Sequence, residues 1–162
     1  MNDATTARAV PATDRRRLVA AGNTMDYVIT AADTAGAFSA VDFRVAPGFV
    51  APPVLHRHTR ETWWGHVLEG EVVLELEGGK VLRAPAGTVL HIPKGVAFRW
   101  HNPRNEPARW LLNWAPGGFE EYFVELTRAI AEHAPKGPAE TAALARPLWA
   151  KYGLTTVEEK KP

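Results

Sequence analysis

The amino-acid sequence predicts an all-β domain, an antiparallel sandwich or barrel, followed by a short helical extension. Three observations predict it. Short runs of β-type residues recur between residues 27 and 114, each ended by turn chemistry such as Pro47-Gly48, Gly78-Gly79 or Pro93-Lys94-Gly95. No long helical period interrupts those runs. The period then changes, and Phe119, Tyr122, Phe123, Leu126 and Ile130 recur at helical spacing as one apolar stripe.

The elements follow in order. Residues 1–17 are polar and Ala-rich and carry Arg15-Arg16-Arg17, which reads as a flexible N-terminal arm. Strands are expected over 27–30, 38–45, 55–58, 63–68, 71–76, 80–83, 88–92, 98–101 and 109–114. The pair 63–68 and 71–76 meets across the tight Glu69-Gly70 turn. The first helix opens with Glu120 and Glu121, where the helix dipole favours negative charge, and ends at Pro135 and Gly137. A second helical stretch covers 139–152, and Pro147 is expected to kink or restart it. The chain thus divides into an arm (1–17), a barrel (18–116), a helical extension (117–155) and a flexible tail (156–162).

Composition narrows the function. The 162 residues suit one domain, and 46% apolar content is enough for a core. Lys+Arg 19 against Asp+Glu 18 leaves no broad positive field, so nucleic acid is not an expected partner. No apolar run approaches the roughly 18 residues that cross a membrane. The N-terminus lacks the apolar stretch of a secretory signal. Cysteine is absent, which removes disulfides and thiolate ligands and fits a cytoplasmic protein.

The densest chemical feature is His56-Arg57-His58. On a strand, residues i and i+2 share a face, about 7 Å apart at Cβ. Two imidazoles so placed either converge on one metal ion or serve as separate acid/base groups. Taken alone, the pair also fits two polar residues on a strand.

The surrounding residues resemble the cupin superfamily, and within it the single-domain quercetin-dioxygenase-like proteins. The first motif of that family reads here HRHTRETWWGHVLEG, His56 to Gly70. The second reads GTVLHIPKGVAFRWHN, with Gly87, Pro93, Gly95 and Asn102 at the family spacing. The stretch APGGFEEYF (Ala115 to Phe123) and Lys151-Tyr152-Gly153-Leu154 are also similar, so the likeness spans about residues 35–155. It implies a double-stranded β-helix (jelly-roll) barrel with two C-terminal helices. It also implies a divalent metal (Fe, Mn, Ni or Zn) held by three His and one Glu. Here the Glu position holds Trp63 and the third His position holds Phe98, so the metal site is degenerate. His56 and His58 remain, short of the two-His, one-carboxylate set of non-haem iron oxygenases. Glu61 and His91 are the available extra ligands.

The resemblance implies that Trp63 and Phe98, standing at ligand positions, face into the barrel, and strand alternation from Phe98 adds Trp100. They line an apolar or aromatic pocket with His56 and His58 as its polar groups, or else fill the space as closed core. Arg57, Arg60 and Glu61 fall at the rim, placed to orient a polar end of a substrate. His66 and His101 fall out of phase and point away. Trp64 and His66 lie on the other sheet face, where an exposed aromatic suggests contact with a second copy, a homodimer. Three functions remain open. The first is a small-molecule enzyme of isomerase, cyclase or lyase type, without a cofactor and with His56 and His58 as catalytic acid/base. The second is a metal-dependent, dioxygenase-like enzyme using His56, His58 and an unconventional ligand. The third is a non-catalytic small-molecule binding protein.

Overall fold

Eleven strands and two helices make up the computed structural model, which describes residues 6–51 and 54–157. In chain order they are β1 (Arg16–Ala20), β2 (Asn23–Ile29), β3 (Ser39–Val45), β4 (His56–His58), β5 (Thr62–Glu69) and β6 (Glu71–Leu76). There follow β7 (Val81–Pro85), β8 (Val89–Ile92), β9 (Ala97–His101), β10 (Ala108–Ala115), α1 (Glu120–His133), α2 (Pro138–Tyr152) and β11 (Leu154–Thr156). One six-stranded antiparallel sheet runs β1-β2-β3-β10-β5-β8, and a five-stranded sheet runs β11-β4-β9-β6-β7.

Alternation explains the layering. Along β10, Ala108, Trp110, Leu112 and Trp114 are buried, while the residues between them are half-buried. Val41, Phe43 and Val45 on β3 and Val72 and Leu74 on β6 belong to the same core cluster. A fully buried side chain of this size contributes about 1.5–3 kcal/mol. Gly65 sits inside β5 for a packing reason: a Cβ there would meet the Trp110 ring at 3.0 Å.

The structure corrects the expected boundaries in three places. Strand β1 begins at Arg16, inside the segment read as an arm. It is an edge strand of two arginines followed by Leu18, Val19 and Ala20, so it lacks the apolar alternation that marks a half-buried strand. Its pairing with β2 sets Arg17 opposite Asp26, with side-chain bonds of 2.7 and 2.8 Å. Helix α2 runs through Pro147 without restarting. Proline inside a helix costs about 3 kcal/mol, but here Leu148, Trp149 and Tyr152 pack against the core. The third correction is β11, which was not foreseen: it pairs with β4, Leu154 opposite His58 and Thr156 opposite His56. Thr156 therefore lies in a strand rather than in a tail, and residues 158–162 lie outside the described residues.

The helices are tied to the barrel by a buried carboxylate. Glu120 Oε1 accepts from the Ala31 N–H and Oε2 from the Gly118 N–H, each at 2.7 Å, and Tyr27 Oη donates to the Glu120 carbonyl. Helix α2 is held against α1 by Trp149 Nε1 donating to Tyr122 Oη at 3.0 Å and by Lys151 and Tyr152 on Glu125. No helix among the described residues is long and apolar enough to cross a membrane.

Candidate active site

Strand β4 turns His56 and His58 inward and both are buried, with ring centroids 5.7 Å apart. The backbone register sets His56 opposite Phe98, whose ring lies 4.6 Å from His56 and 5.9 Å from His58, stacked on the latter. The β4–β5 connection then folds back so that Glu61, itself buried, meets His58: Oε1 lies 2.5 Å from Nδ1. An ionised carboxylate only accepts, so Nδ1 carries the proton in this contact and Nε2 is the ring nitrogen free of it.

His56 has no carboxylate. Its Nδ1 lies 3.5 Å from the Val54 carbonyl, a long contact. Burial, followed by the neighbouring His58 and opposed by that carbonyl, pushes its pKa down to about 4. His56 is thus neutral near neutral pH. Two histidines of one strand have been given different proton chemistry by their surroundings.

Aromatic rings wall the site. Trp63 lies 5.1 Å from Phe98 and meets Trp110 edge-on at 5.7 Å, and Trp100 lies 4.8 Å from Trp110. Phe119, at the start of α1, closes on His58 at 4.4 Å. The cavity these groups enclose measures about 860 Å³ and runs from the barrel interior to the underside of α1 and α2. That volume lies within the range of pockets for small organic ligands. The indole nitrogens of Trp63 and Trp110 are buried without a hydrogen-bond partner among the described residues.

The expected residues divide. His56, His58, Trp63, Phe98 and Trp100 all line the cavity. Glu61 is not at the rim: it is buried beside His58, because the connection bends inward. Arg57 is not at the rim either. Alternation sends it to the outer face, where it donates to Glu77 at 2.8 Å. His91 is exposed on β8 opposite Trp64, outside the cavity, so it is no ligand to a centre at His56 and His58. His66 is half-buried on β5, and His101 lies 3.6 Å from Glu75.

These donors do not fit the metal centre that the resemblance implies. By the spacing of that resemblance, the indole of Trp63 and the phenyl ring of Phe98, without ligating lone pairs, stand at two of its four positions, and the nearby carboxylate is engaged with Nδ1 of His58. No group of three or more His, Cys, Asp or Glu among the described residues is placed to hold an ion.

Sequence reasoning missed the helical cover. Phe119, Tyr122 and Trp149 line the cavity. The stripe beginning at Phe119 signalled a buried helix face, but not which surface it would bury against.

Comparison with known proteins bears on this geometry. Residues 41–114 match the model of the cupin domain. No curated protein matches the chain. Among solved structures it is similar to the polyketide cyclase RemF from Streptomyces resistomycificus, at 23% identity over 68% of this chain and 80% of that one, TM-score 0.58. It is similar to KdgF from Halomonas sp., at 19% identity over 71% and 98%, TM-score 0.60. It also resembles Pac13, a nucleoside dehydratase of Streptomyces, at 16% identity over 72% and 88%, TM-score 0.55. The chain has the cupin jelly-roll fold with two C-terminal helices, and residues 41–114 of it carry the match to the cupin domain.

Proposed function

We propose that the protein is a small-molecule enzyme that moves a proton on an apolar or aromatic substrate inside the barrel, in an isomerase-, cyclase- or lyase-type reaction. The observation that carries this reading is the buried His58–Glu61 pair on the wall of an aromatic cavity. Glu61 fixes the tautomer and stabilises the imidazolium that forms when Nε2 takes a proton. Neutral His56 adds a hydrogen-bonding group, and Trp63, Phe98 and Trp100 hold the flat body of the substrate. The fold neighbours include a cyclase and a dehydratase. Ring closure and water elimination both proceed by proton transfer without net redox change, so this pair is chemically sufficient for either.

The test is turnover by protein treated with a chelator. Aromatic polycarbonyl compounds and nucleosides serve as the panel, with loss of water or ring closure followed by mass spectrometry. Chelated wild-type protein is expected to convert a member of the panel, and His58→Gln to slow it by about 10²–10⁴-fold. Activity that vanishes on chelation and returns with Fe, Mn, Ni or Zn contradicts the reading in favour of the metal-dependent one. Binding without turnover of any compound favours a binding protein. The proposal extends to the assembly: the outer face of β5, where Trp64 and Leu68 are exposed, is taken to meet a second copy.

A further inference from the structure

Arginine occurs thirteen times in the chain. Among the described residues ten of these lie within 4 Å of a carboxylate: Arg8, Arg15, Arg16, Arg17, Arg44, Arg57, Arg83, Arg99, Arg104 and Arg109. The three left over are Arg60, Arg128 and Arg146, and two of those three line one pocket. That pocket, about 520 Å³ and open to solvent, lies where the β4–β5 connection, the end of α2 and β11 meet. No Asp or Glu among the described residues lines it.

Both arginines are exposed, and two further facts describe their setting. Arg60 is laid over the turn that ends α2. Gly153 holds a left-handed φ of +71° there, and a Cβ on it would come within 2.8–2.9 Å of the Arg60 side chain. The stem of this exposed side chain thus runs along the turn, and Gly153 leaves it the room to do so. The pocket also adjoins the barrel: Arg146, Trp149, Leu154 and Thr156 line both it and the aromatic cavity.

Building on the enzyme reading above, we propose that Arg60 and Arg146 form an oxyanion-binding mouth. The ligand is then amphipathic: its apolar or aromatic body enters the barrel, while a carboxylate or phosphate stays in the outer pocket. Guanidinium groups suit planar, multidentate recognition of either anion. No carboxylate among the described residues lines the pocket beside these two like charges, so a bound anion would supply their counter-charge. Arg60 is the chain neighbour of Glu61, so one short connection supplies both the partner of His58 and half of the anion mouth.

Three matched probes test this: 2-naphthoate, 2-naphthyl phosphate and neutral 2-naphthamide, titrated into the full chain with tryptophan fluorescence as readout. At least one anion is expected to bind about tenfold tighter than the amide at low salt. That preference should shrink as ionic strength rises. The Arg60→Gln/Arg146→Gln double variant should lose the preference, read as the ratio of anion to amide affinity in the same protein. If the double variant also loses amide binding, Arg60→Gln alone is read, and it should lower the anion-to-amide ratio. Whichever anion binds more tightly identifies the group. Equal binding of anions and amide by the wild type, or an unchanged preference in the variants, overturns the anion mouth and leaves the enzyme reading standing. Binding of none of the three overturns the cavity reading and this inference with it.

Discussion

The two faces of β4 and β5 carry the same residue types and do opposite things with them. Inward stand His56, His58 and Trp63; outward stand Arg57, Trp64 and His66. Trp63 is 3% exposed and sits in an aromatic wall, whereas its chain neighbour Trp64 is 37% exposed. Inward His58 is paired with a buried carboxylate, while outward His66 is half-buried at the sheet surface. The difference shows that residue identity assigns no role in this molecule. The pleat decides which side chain is desolvated, and desolvation decides whether an imidazole or indole becomes part of a site.

The largest expected effect lies on the inner face. The folded pKa of His56 falls to about 4 from an ordinary 6.5. The unfolded chain therefore binds a proton before the folded one does. Stability is complete above pH 6.5 and is lost as the pH falls toward 4. Linkage gives roughly 2–3 kcal/mol between about pH 7 and pH 4.5. Urea midpoints of wild type and His56→Gln at the two pH values check it. The variant should lack this component, although carboxylate protonation affects both proteins alike. An equal loss in both would erase the contrast between buried and exposed imidazoles.

A smaller effect is expected on the outer face. Trp64→Lys should convert a dimer to a monomer by light scattering after size exclusion, with folding stability changed by no more than about 0.5 kcal/mol. A wild type that is monomeric at every concentration would leave Trp64 as an isolated exposed ring and remove the dimer from the account.

How much of this was legible in the sequence follows from the same pleat. Strands with apolar alternation were visible, as was the shared face of His56 and His58, because a period of two propagates along a strand; the inward Trp63 and Phe98 followed from the motif resemblance, and Trp100 from alternation with Phe98. Residues off regular strands were not. Glu61 lies in a connection, where no period tells whether a side chain turns in or out. Arg57 was placed at the rim although it shares a strand with two inward histidines; its partner Glu77 is twenty residues away in sequence. Strand β11 escaped notice because three residues after a helix carry too little pattern. The meeting of Arg60 with Arg146 depends on how α2 docks, which local sequence does not encode.

The central claim is that Glu61 holds His58 with its proton on Nδ1 while His56 stays neutral. Imidazole ¹⁵N chemical shifts of the labelled full-length protein, followed against pH, test both halves at once. The account predicts a protonated Nδ1 on His58 that loses its signature shift in Glu61→Gln, and a His56 that remains neutral until the pH approaches about 4. A His58 protonated on Nε2 alone, or a His56 titrating at its ordinary 6.5, would contradict it.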